Sequence, residues 1–149
     1  MIFTQHTINE ILTPFIDNVF HYKGYMPEHS FERVVPTGHI YIIFELDGKT
    51  RQLFENDSLQ PIAKFTKVWI SGMHRHFMTI SSHKDSEMLV IQFKAAGTFP
   101  FLHFPVEELN DKVIPAVEIF GSEILELRKN LKKANSTNDY IKQNMQINF

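Results

Sequence analysis

The stretch His29 to Leu46, HSFERVVPTGHIYIIFEL, constrains the fold more than any other part of the chain. Two runs rich in β-branched and aromatic residues flank Pro36-Thr37-Gly38, where Pro presets φ and Gly accepts a positive φ. A hairpin is the expectation. On its second arm Ile40, Ile42 and Phe44 alternate with Tyr41, Ile43 and Glu45. Successive strand side chains point to opposite faces, so one face is wholly apolar and the other mixed. A strand of that kind can line a pocket.

At 149 residues the chain is long enough to bury a core without metals or crosslinks, and short enough for one domain. Its fourteen Phe point to aromatic-rich β packing or an apolar cavity. The lack of Cys excludes disulfides, thiolate metal sites and cysteine nucleophiles, and suits an intracellular location. A formal net charge of −2 and a pI near 6.4 remove the electrostatic footprint of a domain that grips phosphates, so direct DNA binding is not expected. The N-terminus, MIFTQHTINEIL, lacks the basic region and apolar run of a signal peptide, and no apolar stretch reaches membrane-spanning length. The expectation is a soluble cytoplasmic protein with no membrane partner.

Along the chain, Thr7 and Glu10 form a capping-box pattern, but Pro14 limits it to a short turn from Ile8 to Ile16. From Asp17 to Tyr25, Val19, His21 and Lys23 alternate with Phe20, Tyr22 and Gly24, predicting a strand with a bulge or close approach at Gly24. After the turn Asp47-Gly48-Lys49, Thr50 to Phe54 returns as a short strand, and Glu55 to Pro61 reads as loop. Lys67 to Gly72, holding the only Trp, and Met78 to Ser81 are strand-like and are expected to pair or run on across His74-Arg75-His76. Ser86 to Phe93 is a compact strand between polar and small residues. Seven or so short strands with turns between them favour a barrel or sandwich.

Beyond Gly97, Phe99, Phe101, Leu102 and Phe104 among Pro100 and Pro105 predict short turns that plug the barrel. From Val117 to Ala134, Phe120, Ile124, Leu127 and Leu131 recur at threes and fours, with Lys132 and Lys133 at the end of the helix that favours cations. Ser136 and Asp139 cap a second helix striped by Tyr140, Ile141, Met145 and Phe149.

Few residues suggest chemistry. His74 and His76, two apart, would share a strand face and resemble the paired His of a metal-binding cupin, with His83 and His103 as further candidates. That pattern fails at Ile80, where an acid belongs. Ser71 lacks the first glycine of a nucleophile elbow, and no phosphate loop or HExxH stretch occurs. Neither catalysis nor a resident metal or cofactor is expected. Of Glu32 and Arg33, alternation allows one at most to point inward; a buried Arg33 would need a carboxylate or a bound anion.

In order along the chain, the landmarks resemble the N-terminal sensor domain of AraC-type transcriptional regulators, in a subgroup with a cupin-like barrel. Glu32-Arg33-Val34-Val35-Pro36, Gly38 and the apolar strand to Leu46 resemble that subgroup's acid-Arg-apolar-apolar-Pro-Asp-Gly segment, with Thr37 for its Asp. Trp69-Ile70-Ser71-Gly72 resembles the next landmark, with Met73 where Gln is common. Phe93 to Phe101 is similar to the third, and Leu109-Asn110 sits where the family has Glu-Leu before its helices. Residues 12–134 are covered. The resemblance implies a mainly β, α+β fold: a cupin-like β-barrel over residues 1–116 and a helical dimerisation or linker segment over 117–149, in one compact domain. It implies effector sensing and homodimerisation, with DNA bound only through a helix-turn-helix domain absent from this chain, either removed or never present.

For the pocket, Arg33, His39, Tyr41, Trp69, His76 and Phe93 are the candidates, offering an aromatic wall, a few polar groups and, in Arg33, an anion partner. Phe120, Ile124, Leu127 and Leu131 are the expected dimer interface. Tyr41 and Glu45, where the family pattern is broken, are expected to report what the barrel binds. The alternatives are a small metal-dependent cupin enzyme using His74 and His76, and a module that dimerises without a ligand.

Overall fold

The computed structural model describes residues 2–102 and 104–133, and its ten described strands form two antiparallel sheets. The larger runs β1 (Ile2–His6), β2 (Ile16–Tyr25), β9 (Ser86–Phe93), β4 (Tyr41–Glu45), β7 (Val68–Ser71), β10 (Val113–Pro115). The smaller runs β3 (Phe31–Val34), β8 (Met78–Ser81), β5 (Arg51–Phe54), β6 (Pro61–Phe65). A 3-10 turn at Val106–Leu109 and two helices, α1 (Val117–Phe120) and α2 (Glu123–Lys133), complete the β-rich α+β fold that the sequence predicts.

The stretch His29 to Leu46 is not a hairpin. Its first arm, β3, pairs with β8 in the smaller sheet, whereas its second, β4, pairs with β7 and β9 in the larger. Residues 35–40 separate the arms, more than the two-residue turns that commonly hold a tight hairpin, and with Gly38 at φ 76° they form a corner between sheets. Asp47-Gly48-Lys49 makes the same crossing, since β5 pairs with β6 and β8. The strands on either side of His74-Arg75-His76, β7 and β8, likewise lie in different sheets rather than pairing. Gly24 sits at a register shift between β2 and β9 with φ 70°, as the sequence predicts for a bulge.

One face of the larger sheet, carrying Ile42, Phe44, Ile70, Leu89, Ile91 and Phe93, builds the main core. Phe101, Leu102, Phe104, Val106 and Leu109 do not plug the space between the sheets but pack on this outer face. Gly72 makes the approach possible, because a Cβ there would lie 1.8 Å from the Leu109 carbonyl oxygen.

Where one helix is expected from Val117 to Ala134, Gly121 (φ 71°, ψ −167°) breaks it into α1 and α2. The break lets α2 lay Ile124, Leu127 and Leu131, 5%, 4% and 3% exposed, onto the same outer face, with Phe120 half-buried beside them. The stripe expected to meet a second subunit is covered by the chain's own sheet, because the wholly apolar face of β4 needs a cover and α2 supplies it. The helix predicted from Ser136 onward lies outside the described residues. No described helix is long and apolar enough to cross a membrane.

Candidate functional site

Between the two sheets lies a cavity of about 320 Å3, lined by Tyr22, Tyr41, Ile43, Trp69, Ser71, Met88 and Val90 of the larger sheet and Glu32, Val34, Met78 and Ile80 of the smaller. The register explains this lining. Tyr22 lies opposite Met88, Ile43 opposite both Val90 and Trp69, and Tyr41 opposite Ser71, so all share one face. Glu32 opposite Ile80 and Val34 opposite Met78 form the facing wall. The volume falls at the small end of the range of roughly 300–1,000 Å3 typical of small-molecule sites.

The inward residues of β4 grade the cavity from rim to floor. At the rim, Gln5 Nε2 donates to Asn18 Oδ1 (2.5 Å), Asn18 Nδ2 to Gln92 Oε1 (2.6 Å) and Gln92 Nε2 to the Tyr41 hydroxyl (3.1 Å), which shares a further hydrogen bond with Thr37 Oγ1. Gln5 and Thr37, at the ends of this ladder, are exposed. Ile43 follows in the apolar belt. At the floor, Arg51 Nε and Nη2 donate to the two Glu45 carboxylate oxygens at 3.0 and 3.1 Å, and Trp69 Nε1 donates to Oε1 at 3.1 Å. Glu45 is 1% and Arg51 2% exposed, and Arg51 also donates to the Ser81 carbonyl. Glu45 belongs to one sheet and Arg51 to the other, so a bidentate ion pair joins the sheets and fixes the Trp69 ring. From outside, Arg128 Nε of α2 donates to the Glu45 backbone carbonyl at 2.8 Å.

Among the described residues, Glu32 is the one carboxylate on the cavity wall and no basic side chain lines it. Burial raises the Tyr22 phenol above its usual range, and Glu32 and then Tyr41 push it the same way. Next to the cavity, Ser71 Oγ lies 3.0 Å from His74 Nε2, and burial holds the His74 imidazole below its usual range against the opposing pull of Asp111. The Asp111 carboxylate accepts from Arg75 N and Nε at 2.8 and 2.7 Å, so no described carboxylate hydrogen-bonds His74 to orient it as a base.

Of the six pocket candidates, Tyr41 and Trp69 line the cavity. The other four do not. Alternation on β3 turns Glu32 inward and Arg33 outward, with the guanidinium 4.7 Å above the Phe77 ring. Phe93, three residues beyond Val90, has the opposite parity and is 1% exposed in the outer core. His39 Nδ1 lies 2.9 Å from the Phe93 carbonyl oxygen and 3.7 Å from Asp17 Oδ2, off the cavity wall. His76 is exposed in the β7–β8 connection. His83 Nε2 contacts the Thr50 carbonyl and Ser81 Oγ, and His103 is outside the described residues. Among the described residues no three side chains of the metal-binding types converge. Sequence reading missed Tyr22, Met88 and Val90. The alternation of β2 and β9, once one inward residue is known, would have found them.

The fold and cavity define a β-rich domain with an internal small-molecule-sized site. A family model described as "Domain of unknown function (DUF6597)" matches residues 5–115, and the chain belongs to that family. No curated protein and no solved structure matches it.

Proposed function

We propose that this chain is the effector-sensing domain of an AraC-type transcriptional regulator, and that a small molecule enters the cavity between its sheets. The observation that carries the reading is that cavity: a polar rim, an apolar belt and an ion-paired floor in a chain with that class's ordered landmarks. The reading brings with it a cupin-like barrel, a cytoplasmic location, no catalysis and DNA contact through a separate helix-turn-helix domain.

A route from ligand to helix supports it. A molecule against Trp69 is one hydrogen bond from the Glu45 carboxylate, and the Glu45 carbonyl holds Arg128 of α2. An effector that favours one setting of the β4 end therefore biases α2 and whatever follows it, a population shift between arrangements. Homodimerisation, part of this reading, needs surface other than the Ile124–Leu127–Leu131 stripe.

Screened by thermal shift against small organic molecules, the protein is expected to show concentration-dependent rises in Tm. Val34→Trp, placed to fill the cavity, is expected to weaken such ligands at least about tenfold, or about 1.4 kcal/mol. Ligands that bind the variant as tightly as wild type contradict the cavity as their site. Fused to a double helix-turn-helix domain, the chain is expected to make operator binding follow the same ligands; operator binding indifferent to them contradicts the sensor role.

A further inference from the structure

We propose that the cavity selects an organic cation, with Glu32 as its counter-ion and Tyr22, Tyr41 and Trp69 as aromatic walls. The inference rests on the reading of the cavity as a ligand site and adds the charge of what fills it.

Among the described residues Glu32 is the only charged side chain on the wall; it faces Ile80 across the β3–β8 pair and makes no hydrogen bond or ion pair with any of them. Glu45, an inward acid of β4, is answered by Arg51 and Trp69, and neighbouring Arg33 points to the opposite face over Phe77. A carboxylate beside Val34 and Ile80 keeps its charge at low cost only while water reaches it. A neutral apolar ligand would displace that water and leave the charge unmatched; an anion would be repelled as well. A cation replaces the water with an ion pair, strengthened by the low dielectric of the apolar belt.

The walls favour the same class. Tyr22, Tyr41 and Trp69 line the cavity, and aromatic rings attract an ammonium or other organic cation over its isosteric hydrocarbon. Burial first, and Glu32 after it, raise the Tyr22 phenol's pKa, and the second contribution agrees with the Glu32 carboxylate lying near that phenol. The rim ladder is made of uncharged amides and hydroxyls, so a cation meets no positive barrier on entry.

The full chain can be titrated with phenyltrimethylammonium, with its neutral isostere tert-butylbenzene and with benzoate, following the fluorescence of the single Trp, which lines the cavity. Phenyltrimethylammonium is expected to bind saturably and at least about tenfold more tightly than tert-butylbenzene, with benzoate weakest. Glu32→Gln is expected to weaken the cation about tenfold or more while tert-butylbenzene binds at least as tightly as to wild type, which also shows the variant cavity intact. Should the variant fail to fold, the wild-type comparison of cation with isostere decides alone. Tert-butylbenzene binding as tightly as the cation overturns the inference and leaves the cavity standing as a ligand site. No binding by any of the three overturns both.

Discussion

Arg51→Met is expected to lower stability by about 3–5 kcal/mol, because it leaves the Glu45 carboxylate buried without its cation. At 1% exposure Glu45 has no water to fall back on, and of its side-chain partners only the Trp69 indole would remain. The two sheets also lose a direct tie between β4 and β5. In a chain of this length the loss corresponds to a fall in Tm of roughly 6–20 °C, readable by circular dichroism. Glu45→Leu combined with Arg51→Met is expected to recover much of it, since two apolar side chains leave no orphaned charge. A single-variant loss below about 1 kcal/mol, the scale of an exposed ion pair, would show that the pair is not the buried clamp described.

Leu127→Asp is expected to unfold the protein rather than only separate subunits. Leu127 is 4% exposed and packs with Ile124 and Leu131 in the core against the larger sheet. Truncation to Ala should cost about 2–5 kcal/mol from lost burial and the cavity left behind. An aspartate adds the burial of an unpaired carboxylate, which either disrupts the packing or is protonated at further cost. Urea unfolding of Leu127→Ala beside light scattering at fixed concentration separates the roles. The expected result is a large drop in stability with oligomeric state unchanged. A Leu127→Asp protein with wild-type Tm but halved mass would return the stripe to an interface.

The strands with strong local patterns were legible in the sequence: β9 spans Ser86 to Phe93 as its apolar run predicts, and β2 carries its bulge at Gly24. The edge strands β1 and β6 were not. In β6 only Phe65 is buried, so a period of two is absent from Pro61 to Phe65, and β1 has four exposed residues of five. Alternation along β4 separated the apolar from the mixed face, yet local sequence cannot say which face meets a helix and which meets a second sheet. That choice depends on the corner at Pro36-Thr37-Gly38, where an apparent hairpin turn proved to be a change of sheet.

The site was legible to the same degree. Tyr41 and Trp69 fall on the cavity because both are inward on predicted strands. Parity removes Phe93, and it exchanges Arg33 for Glu32, reversing the charge expected of the ligand. His39 and His76 lie outside strands, where alternation gives no direction. Glu45, expected to report the ligand, is instead engaged by Arg51, six residues on but in the other sheet, a partnership that only the topology reveals.

The ligand is expected in the space between the sheets and not at the helix-covered face. Methyl-labelled protein titrated with phenyltrimethylammonium tests it directly by NMR. The expected result is shifts concentrated at the methyls of Val34, Ile43, Met78, Ile80, Met88 and Val90, with those of Leu89, Ile91 and Leu127 little changed. Shifts confined to the second set, or none in the first at saturating probe, would contradict it.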